Sequence, residues 1–552
     1  MVWRSRGGLE VEVEARAGGV ADPRPAPPAP AAPPSLGVAD LPVVPRDPHY
    51  FLPTPARALG GGWALFGRDA AATRASFLSL FTPADWGAHA AMQAELAQMR
   101  ADFAPAMLAP PLPPGETAAR FVRPALRRAF VALATGSVAS YLDRWGFRCD
   151  LVRAMYAATD GLSGVTAGPD EPGTGFNFLL HNMVRLPGTQ GAWALLQGAA
   201  RGVVGCVGRG GAAAAARGGG RAPPHPPLSP GGMGTLTARL AGVARAAGVR
   251  IETGRPVAAV DVGAGLRATG VTLCCGTSVP ARAVVAACDP FTLDGLIAGG
   301  LQGAAKASLD RARLATAPAT TAKLQLCLSS LPTFACLPEP RGQHRTTSHL
   351  LVGAQEPRAA SGAMAALARA AAAARAGDAP CEPGDHPPIE FYFHSDADPT
   401  VRDAAGRHSA ALFVQLAPAA PRRGALDPGA AGWTPAAKAE YTKRLLSVVA
   451  SFAPGIEGCV HEAVLFTPDD VRSHFGIASA HIHHVSNTLA LDARFPHTVP
   501  GVGGLFCASA GTHPGGSVTG CGGFLAAAAA AAALGVAVPR VRVRSGGWSE
   551  PG

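Results

Sequence analysis

The chain lacks any Cys-x-x-Cys pair and any cysteine and histidine spacing of a zinc site, although it holds 11 cysteines. Neither a redox dithiol nor a local structural zinc is therefore encoded. The odd count, with no apolar signal segment at the N-terminus, argues against a disulfide-built secreted protein and leaves a reducing, intracellular compartment as the default. Most of the cysteines read as small buried hydrophobes. Long apolar runs are missing as well: Phe524 to Val538 is 15 residues, short of the roughly 20 that cross a bilayer. No Lys/Arg block interleaved with aromatics accompanies the net charge of +10, so nucleic-acid binding is not expected. Met1 to Arg6 carries two arginines, but Glu10, Glu12 and Glu14 follow at once, unlike an acid-poor organelle presequence. What remains is globular: 48% hydrophobic and 16% charged over 552 residues allow a large core and two or more domains. The 68 glycines and 51 prolines gather in runs that read as loops.

The densest signal lies at Gly504-Leu-Phe-Cys-Ala-Ser-Ala-Gly511-Thr-His-Pro-Gly515-Gly516-Ser-Val518-Thr519-Gly520. Leu505 to Ala508 predicts a buried strand, the glycines a loop that lets backbone approach a ligand closely, and Phe524 to Leu534 a helix. The free N–H groups and dipole at such a helix start suit a phosphate or the electron-rich end of a reduced flavin. Ala510 to Gly516 resembles the C-terminal flavin motif of the phytoene desaturase and amine oxidase superfamily.

Upstream, Gly8 to Glu14 alternates apolar and acidic residues, the period of a strand, and ends Glu14-Ala-Arg16 before a glycine pair. Residues 20–40 form a proline-rich linker that cannot sit inside a sheet. Several helical stretches follow between Ala70 and Ala157, one of them predicted over Arg120 to Tyr141. Residues 199–230 have no hydrophobic period and read either as a surface loop or as an intron retained in the reading frame. Val257 to Asp289 predicts a small antiparallel unit feeding a core strand. Lys323 to Leu328, Ile389 to His394 and Ala410 to Leu416 are strand candidates for a second sheet. Pro435 to Phe452 reads as a helix, and residues 356–385 as a loose surface helix or expansion loop.

Three motifs in close succession, Thr159-Asp-Gly-Leu-Ser-Gly164, Pro172-Gly-Thr-Gly-Phe-Asn-Phe-Leu-Leu-His181-Asn-Met183 and Pro187-Gly-Thr-Gln-Gly-Ala-Trp193, resemble the pyridine nucleotide-disulphide oxidoreductase domain-containing protein 2 family. That phytoene desaturase-like family likeness extends through most of residues 41–525. It implies an α/β fold: a Rossmann-like doubly wound FAD-binding domain interleaved with an α+β substrate domain. The expected division is a dinucleotide-domain remnant at 1–19, the linker 20–40, a helical substrate part at 41–198 and the insert 199–230. The dinucleotide domain returns at 231–300 and 491–540 around a substrate part at 301–490, with a tail at 541–552. The resemblance further implies FAD, with Glu14 on the ribose, Val257 seating adenine through its backbone, and Gly232 opening a Gly-Gly-Met-Gly-x-Leu helix start. Gly511, Thr512, Gly515, Gly516, Val518 and Thr519 would face the flavin. A mitochondrial address and an apolar small-molecule substrate are implied by the family alone.

A dinucleotide domain of this type opens with a strand and a Gly-x-Gly-x-x-Gly turn that holds the pyrophosphate. This sequence has neither at its start. The match at Gly208 to Ala213 lies inside the low-complexity insert without a flanking strand. A truncated reading frame is the favoured explanation. Three functional readings stand: an FAD-dependent oxidoreductase, a non-catalytic relative acting through protein partners, and an amine oxidase or carotenoid desaturase. Amine oxidation calls for an aromatic cage beside the flavin, and none of the five tyrosines and seven tryptophans lies near residue 510, which sets it lower. His181, His394 and His484 are the candidate bases, histidine being suited to that task. His481, His483 and His484 lack an acidic or cysteine partner nearby in sequence, so they read as a structural or pocket-lining patch rather than a metal site.

Overall fold

A computed structural model describes residues 2–4, 9–14, 43–56, 61–183, 194–196, 232–318, 320–356, 362–537 and 540–545. The linker 20–40 and the insert 199–230 lie outside the described residues. Strands are numbered along the chain. The largest sheet has seven, in the spatial order β15 (Val460–Phe466), β11 (Ala322–Leu328), β14 (His408–Val414), β13 (Ile389–Tyr392), β12 (Thr347–Leu350), β4 (Tyr50–Pro53) and β5 (Trp63–Phe66). Only the β12–β4 pairing is parallel. All three strand candidates predicted between 323 and 416 fall in this sheet.

The sheet forms because its strands alternate or run apolar and one face is roofed by helices. Leu324, Leu326, Phe391, Leu412 and Val414 are buried, as are Phe77, Leu96, Phe103, Phe130 and Leu133 of the helical layer. Full burial of each such side chain contributes roughly 1.5–3 kcal/mol, so this core dominates the stability of the molecule. The roof includes helices Pro83–Phe103, Asp150–Tyr156 and Thr174–Met183. The single helix expected over 120–141 is instead three, Pro114–Phe121, Arg127–Thr135 and Val138–Asp143. Pro124 cannot continue the first, and Ser137 caps the third by accepting a hydrogen bond from the Ser140 N–H. The expected helix Pro435–Phe452 is present at those bounds. Residues 356–385 are less loose than expected: helix Ala363–Ala376 buries an alanine and leucine face, and Met364 N–H donates to Asp150 Oδ2 at 2.9 Å.

A second, smaller core joins the antiparallel sheet of β7 (Val257–Gly263), β8 (Arg267–Leu273) and β9 (Ser278–Pro280) to the parallel pair β10 (Val284–Ala286) and β16 (Leu505–Cys507). This is the predicted antiparallel unit feeding a core strand. The mixed α/β class is as expected; among the described residues the parallel strand pair of this unit is β10 with β16, joined by single parallel bridges from Val260 to Ile297 and from Arg267 to Gly503. The acidic strand predicted at the start, β2 (Leu9–Glu14), pairs antiparallel with β1 (Val2–Arg4) and β17 (Arg540–Ser545). The register sets Glu10, Glu12 and Glu14 opposite Arg544, Arg542 and Arg540. Residues 541–545, expected as tail, are thus strand. The remaining pair, β3 (Val43–Pro45) and β6 (Ala194–Leu196), is antiparallel. Fewer cysteines are buried than expected: among those described, Cys149, Cys327, Cys381 and Cys507 are buried, Cys288, Cys336, Cys459 and Cys521 half-buried, and Cys274 and Cys275 exposed.

Candidate functional site

Between the seven-stranded sheet and its helical roof lies a cavity of about 820 Å³, within the size of small-molecule sites. Strand geometry supplies its floor. Residues two apart share a face, so Thr347 and His349 of β12 and their cross-strand partners Tyr392 and Glu390 of β13 all reach it. Tyr50 of β4 stacks on His349 with ring centroids 3.9 Å apart, and Phe66 of β5 adds apolar wall. Trp86 and His89 come from helix Pro83–Phe103, and His181 from the last turn of Thr174–Met183.

Asp160 enters on Ala157–Gly161, one wide turn of π-helix that extends Asp150–Tyr156. Such turns often mark functional positions because they re-aim a side chain off the regular ladder. Asp160 Oδ1 lies 2.8 Å from His181 Nδ1, and Asp160 Oδ2 accepts from Asn182 Nδ2 at 3.3 Å. A carboxylate only accepts. In the neutral ring the His181 proton therefore sits on Nδ1, which leaves the lone pair to Nε2.

Across the cavity, Glu390 accepts from Tyr392 O–H and, at 2.9 Å, from Gln415 Nε2; burial raises its pKa. The Arg46 guanidinium donates to Thr347 Oγ1 and lies 5.1 Å from the centre of the Tyr392 ring. Burial pushes His349 down to about 3 and His89 to about 4, so both are neutral; His89 Nδ1 pairs with Tyr156 O–H.

The predicted flavin loop adjoins this cavity through one ring. A Cβ on Gly164, next to the cavity-lining Ser163, would stand 2.8 Å from His483 Nε2, and one on Gly516 would stand 2.4 Å from His483 Nδ1. The neutral His483 imidazole, driven to about 3 by burial, thus fills the space between the two glycines. The loop is tied internally: Gly511 N–H donates to Ser509 Oγ at 3.0 Å, Thr512 Oγ1 to Ser509 O at 2.6 Å, and Cys521 N–H to Thr519 Oγ1 at 3.3 Å. Ser517 and Val518 hold positive φ of 127° and 57°, a strained state for non-glycine residues that clusters at functional sites. Val518 is 80% exposed.

Under the loop, Arg494 is 4% exposed. Its Nη2 donates to Asn487 Oδ1 at 3.2 Å, but its Nε and Nη1 and the Asn487 Nδ2 have no partner. A Cβ on Gly515 would meet Asn487 Oδ1 at 2.7 Å and Arg494 Nη1 at 2.9 Å. Buried unpaired donors cost free energy, and their grouping beneath a bare glycine backbone fits an electron-rich acceptor such as the flavin pyrimidine edge or a phosphate. The donors present therefore suit a flavin.

Of the residues predicted for the cofactor, Gly511, Thr512, Gly515, Gly516, Val518 and Thr519 stand together. Val257 opens β7, whose neighbour β8 is tied to the loop's strand by the Ala268 N–H to Gly503 O bond at 2.8 Å. Gly232 opens helix Gly232–Ala246. Glu14 ends β2 in the separate antiparallel sheet, not beside β10 or β16. The predicted helix at 524–534 begins three residues earlier, at Cys521.

Of the candidate bases, only His181 lines the cavity. His394 begins the short helix His394–Ala397 behind Tyr392. His484 bonds Ser509 Oγ through Nδ1 at 2.8 Å and so pins the loop. Asp160, Arg46, Glu390 and Arg494 were not singled out in the sequence, although Asp160 lies in the Thr159 motif. Three of the five tyrosines, Tyr50, Tyr156 and Tyr392, line the cavity with Trp86, drawn from segments far from residue 510 in the sequence. Arg46, Asp160 and Glu390 add charged groups to the same lining.

The profile of the flavin containing amine oxidoreductase family matches residues 149–312, a span that holds Asp160 and His181. Pyridine nucleotide-disulfide oxidoreductase domain-containing protein 2 of Rattus norvegicus is 27% identical over 409 residues, covering 70% of this chain and 59% of the relative. Its Mus musculus counterpart matches at the same identity and coverage. The chain thus resembles that family, as its motifs imply, and spans about 59% of the length of these curated relatives. Among solved structures, an oxidoreductase from Methanosarcina mazei is similar at 14% identity with a TM-score of 0.45, covering 88% of this chain and 80% of that one. Among the described residues, no helix is long and apolar enough to cross a membrane.

Proposed function

We propose that this chain is an FAD-dependent oxidoreductase acting on a small molecule in the cavity above the seven-stranded sheet. The observation that carries the reading is the group of buried, unpaired donors of Arg494 and Asn487 beneath Gly515, one imidazole away from that cavity. Bound there, the flavin would supply the two-electron acceptor for a hydride from substrate. Arg494 and Asn487 would balance the charge on its electron-rich edge, with the Gly511 to Thr519 backbone and the start of helix Cys521–Ala533 beside them. Val257 would seat adenine, Gly232 the start of its helix, and Glu14 the ribose, on the strength of the family resemblance. A mitochondrial location belongs to the same proposal and has the same support.

His181 is the proton acceptor in this reading. In the neutral ring Nε2 would carry the lone pair; the residue lines the cavity, while Asp160 fixes the ring and would stabilise the imidazolium formed when a substrate O–H or N–H is deprotonated. The neutral rings of His349 and His483 and the aromatic wall would keep water from that transfer.

The test is the visible absorption spectrum of the purified chain after incubation with FAD and gel filtration. Co-eluting flavin bands are expected, and they should be lost in Arg494→Met. A folded chain that retains no flavin would sink the reading and leave a non-catalytic relative.

A further inference from the structure

We propose that the cavity takes a small organic acid, its carboxylate held by the Arg46 guanidinium and its ring-sized apolar body lying on the Trp86 and Phe66 wall. The inference rests on the cavity being the substrate chamber of the oxidoreductase proposed above, and it replaces the expectation of a wholly apolar substrate.

The charges around the cavity decide the sign of the ligand. Both carboxylates are committed to protein donors on each oxygen: Asp160 to His181 and Asn182, Glu390 to Tyr392 and Gln415. Neither is left as a counter-ion for an ammonium group. Arg46 is the reverse case. Nη1 donates to Thr347 and the guanidinium lies 5.1 Å from the centre of the Tyr392 ring; the Glu390 carboxylate acts on it from a distance, but among the described residues no carboxylate pairs with it directly. Arg68, the other cavity arginine, is 55% exposed in its side chain and faces Asp47 at 3.9 Å.

With Nη1 engaged, Arg46 keeps the Nε and Nη2 edge, the two-donor fork that matches a planar carboxylate. A lone fork suits one negative charge better than the two of a phosphate. Trp86 and Phe66 offer aromatic surface but no donor fork of their own, so the remainder of the ligand is apolar and of ring size. Held this way, the ligand spans from Arg46 toward His181, which lines the same cavity.

The experiment is calorimetric titration of the full chain with three probes of equal shape: 2-naphthoate, the neutral 2-naphthamide and the cationic 2-naphthylmethylammonium. Naphthoate should bind roughly tenfold or more tightly than either of the others. Arg46→Met should erase that preference, Arg46→Lys should weaken it while keeping its direction, and Arg68→Met should leave it. Tighter binding of the ammonium probe, equal binding of all three, no naphthoate binding up to ~10 mM, or a preference that survives in a folded Arg46→Met would each overturn the proposal. The Lys variant keeps the test alive if the Met variant does not fold. The flavin spectrum of the same samples separates the two readings. Naphthoate selectivity without flavin removes the oxidoreductase and leaves the acid site; flavin with no selectivity does the opposite.

Discussion

His181 Nδ1 and Asp160 Oδ1 stand 2.8 Å apart although 21 residues separate them in the chain. The contact exists because one wide helical turn aims Asp160 inward just where Thr174–Met183 ends its last turn. Both residues belong to motifs whose order already suggested a family, yet neither motif says that the two side chains meet. The fold makes a dyad of them, and that is what selects His181 over His394 and His484.

Asp160 is 2% exposed, so shape and charge can be separated by substitution. Asp160→Ala leaves His181 Nδ1–H without its acceptor, at about 1–3 kcal/mol for a stranded donor, while Asn182 Nδ2 keeps its bond to Phe178 O at 2.8 Å. Asp160→Asn keeps an oxygen for His181 but turns an N–H₂ toward Asn182 Nδ2, so only the weaker of the two contacts is lost. Urea denaturation should therefore show Asp160→Ala losing roughly 1–3 kcal/mol and Asp160→Asn less. Activity should fall in both, since a neutral amide no longer stabilises the imidazolium. Equal stability losses would show that the dyad does not set the local packing.

Arg494→Met should move two measurements in opposite directions. In the flavin-free chain it removes a buried, half-satisfied cation, whose pKa burial lowers to about 9, and puts an apolar side chain of similar length in its place. Removing such a charge is often stabilising by about 1–4 kcal/mol. Thermal melting without flavin should rise, while flavin retention should drop. A fall in both would mean that Arg494 serves only the packing under Gly515.

Glycines of the loop and of the helix behind it should respond oppositely to alanine. At Gly516 a Cβ would lie 2.4 Å from His483 Nδ1, so the ring must move and the bridge between loop and cavity opens. At Gly523, inside helix Cys521–Ala533, nothing lies within 4 Å, and alanine there should stabilise by about 0.5–1 kcal/mol. Melting temperatures and flavin retention of Gly516→Ala and Gly523→Ala check both signs.

The elements legible in the sequence are those whose signal is local. Strand β11 and helix Pro435–Phe452 were readable from apolar pattern alone, and the glycines at 511–520 marked a loop built for close approach. Arg46 and Glu390 carried no such signal. Each is a single polar residue in or beside a strand, and only the parallel pairing of β12 with β4 and the antiparallel pairing with β13 puts both at one cavity. Breaks inside an apparently continuous helical period, as at Pro124, are likewise set by one residue.

Acid should unfold this protein well above the carboxylate range, and histidines are the cause. Burial lowers His349, His394 and His483 to about 3, and His89, His386 and His513 to about 4, against an ordinary value near 6.5. Below that ordinary value the unfolded chain takes up protons that the folded chain refuses, so stability is full above it and falls as the pH drops. Each such group contributes a slope of up to ~1.4 kcal/mol per pH unit. Six together match or exceed a typical stability of about 5–15 kcal/mol within about two units. Carboxylates act lower: against the upward push of burial, Lys438 and Thr467 hold Asp470 below its usual range, so its stabilisation is lost only at more acid pH. Circular dichroism should therefore place the acid midpoint between pH about 6 and 4. His386→Gln, which removes one of the six groups at a site away from the cavity, should lower the proton uptake on unfolding by about one. A midpoint below pH ~3 would mean that these imidazoles are protonated inside the fold.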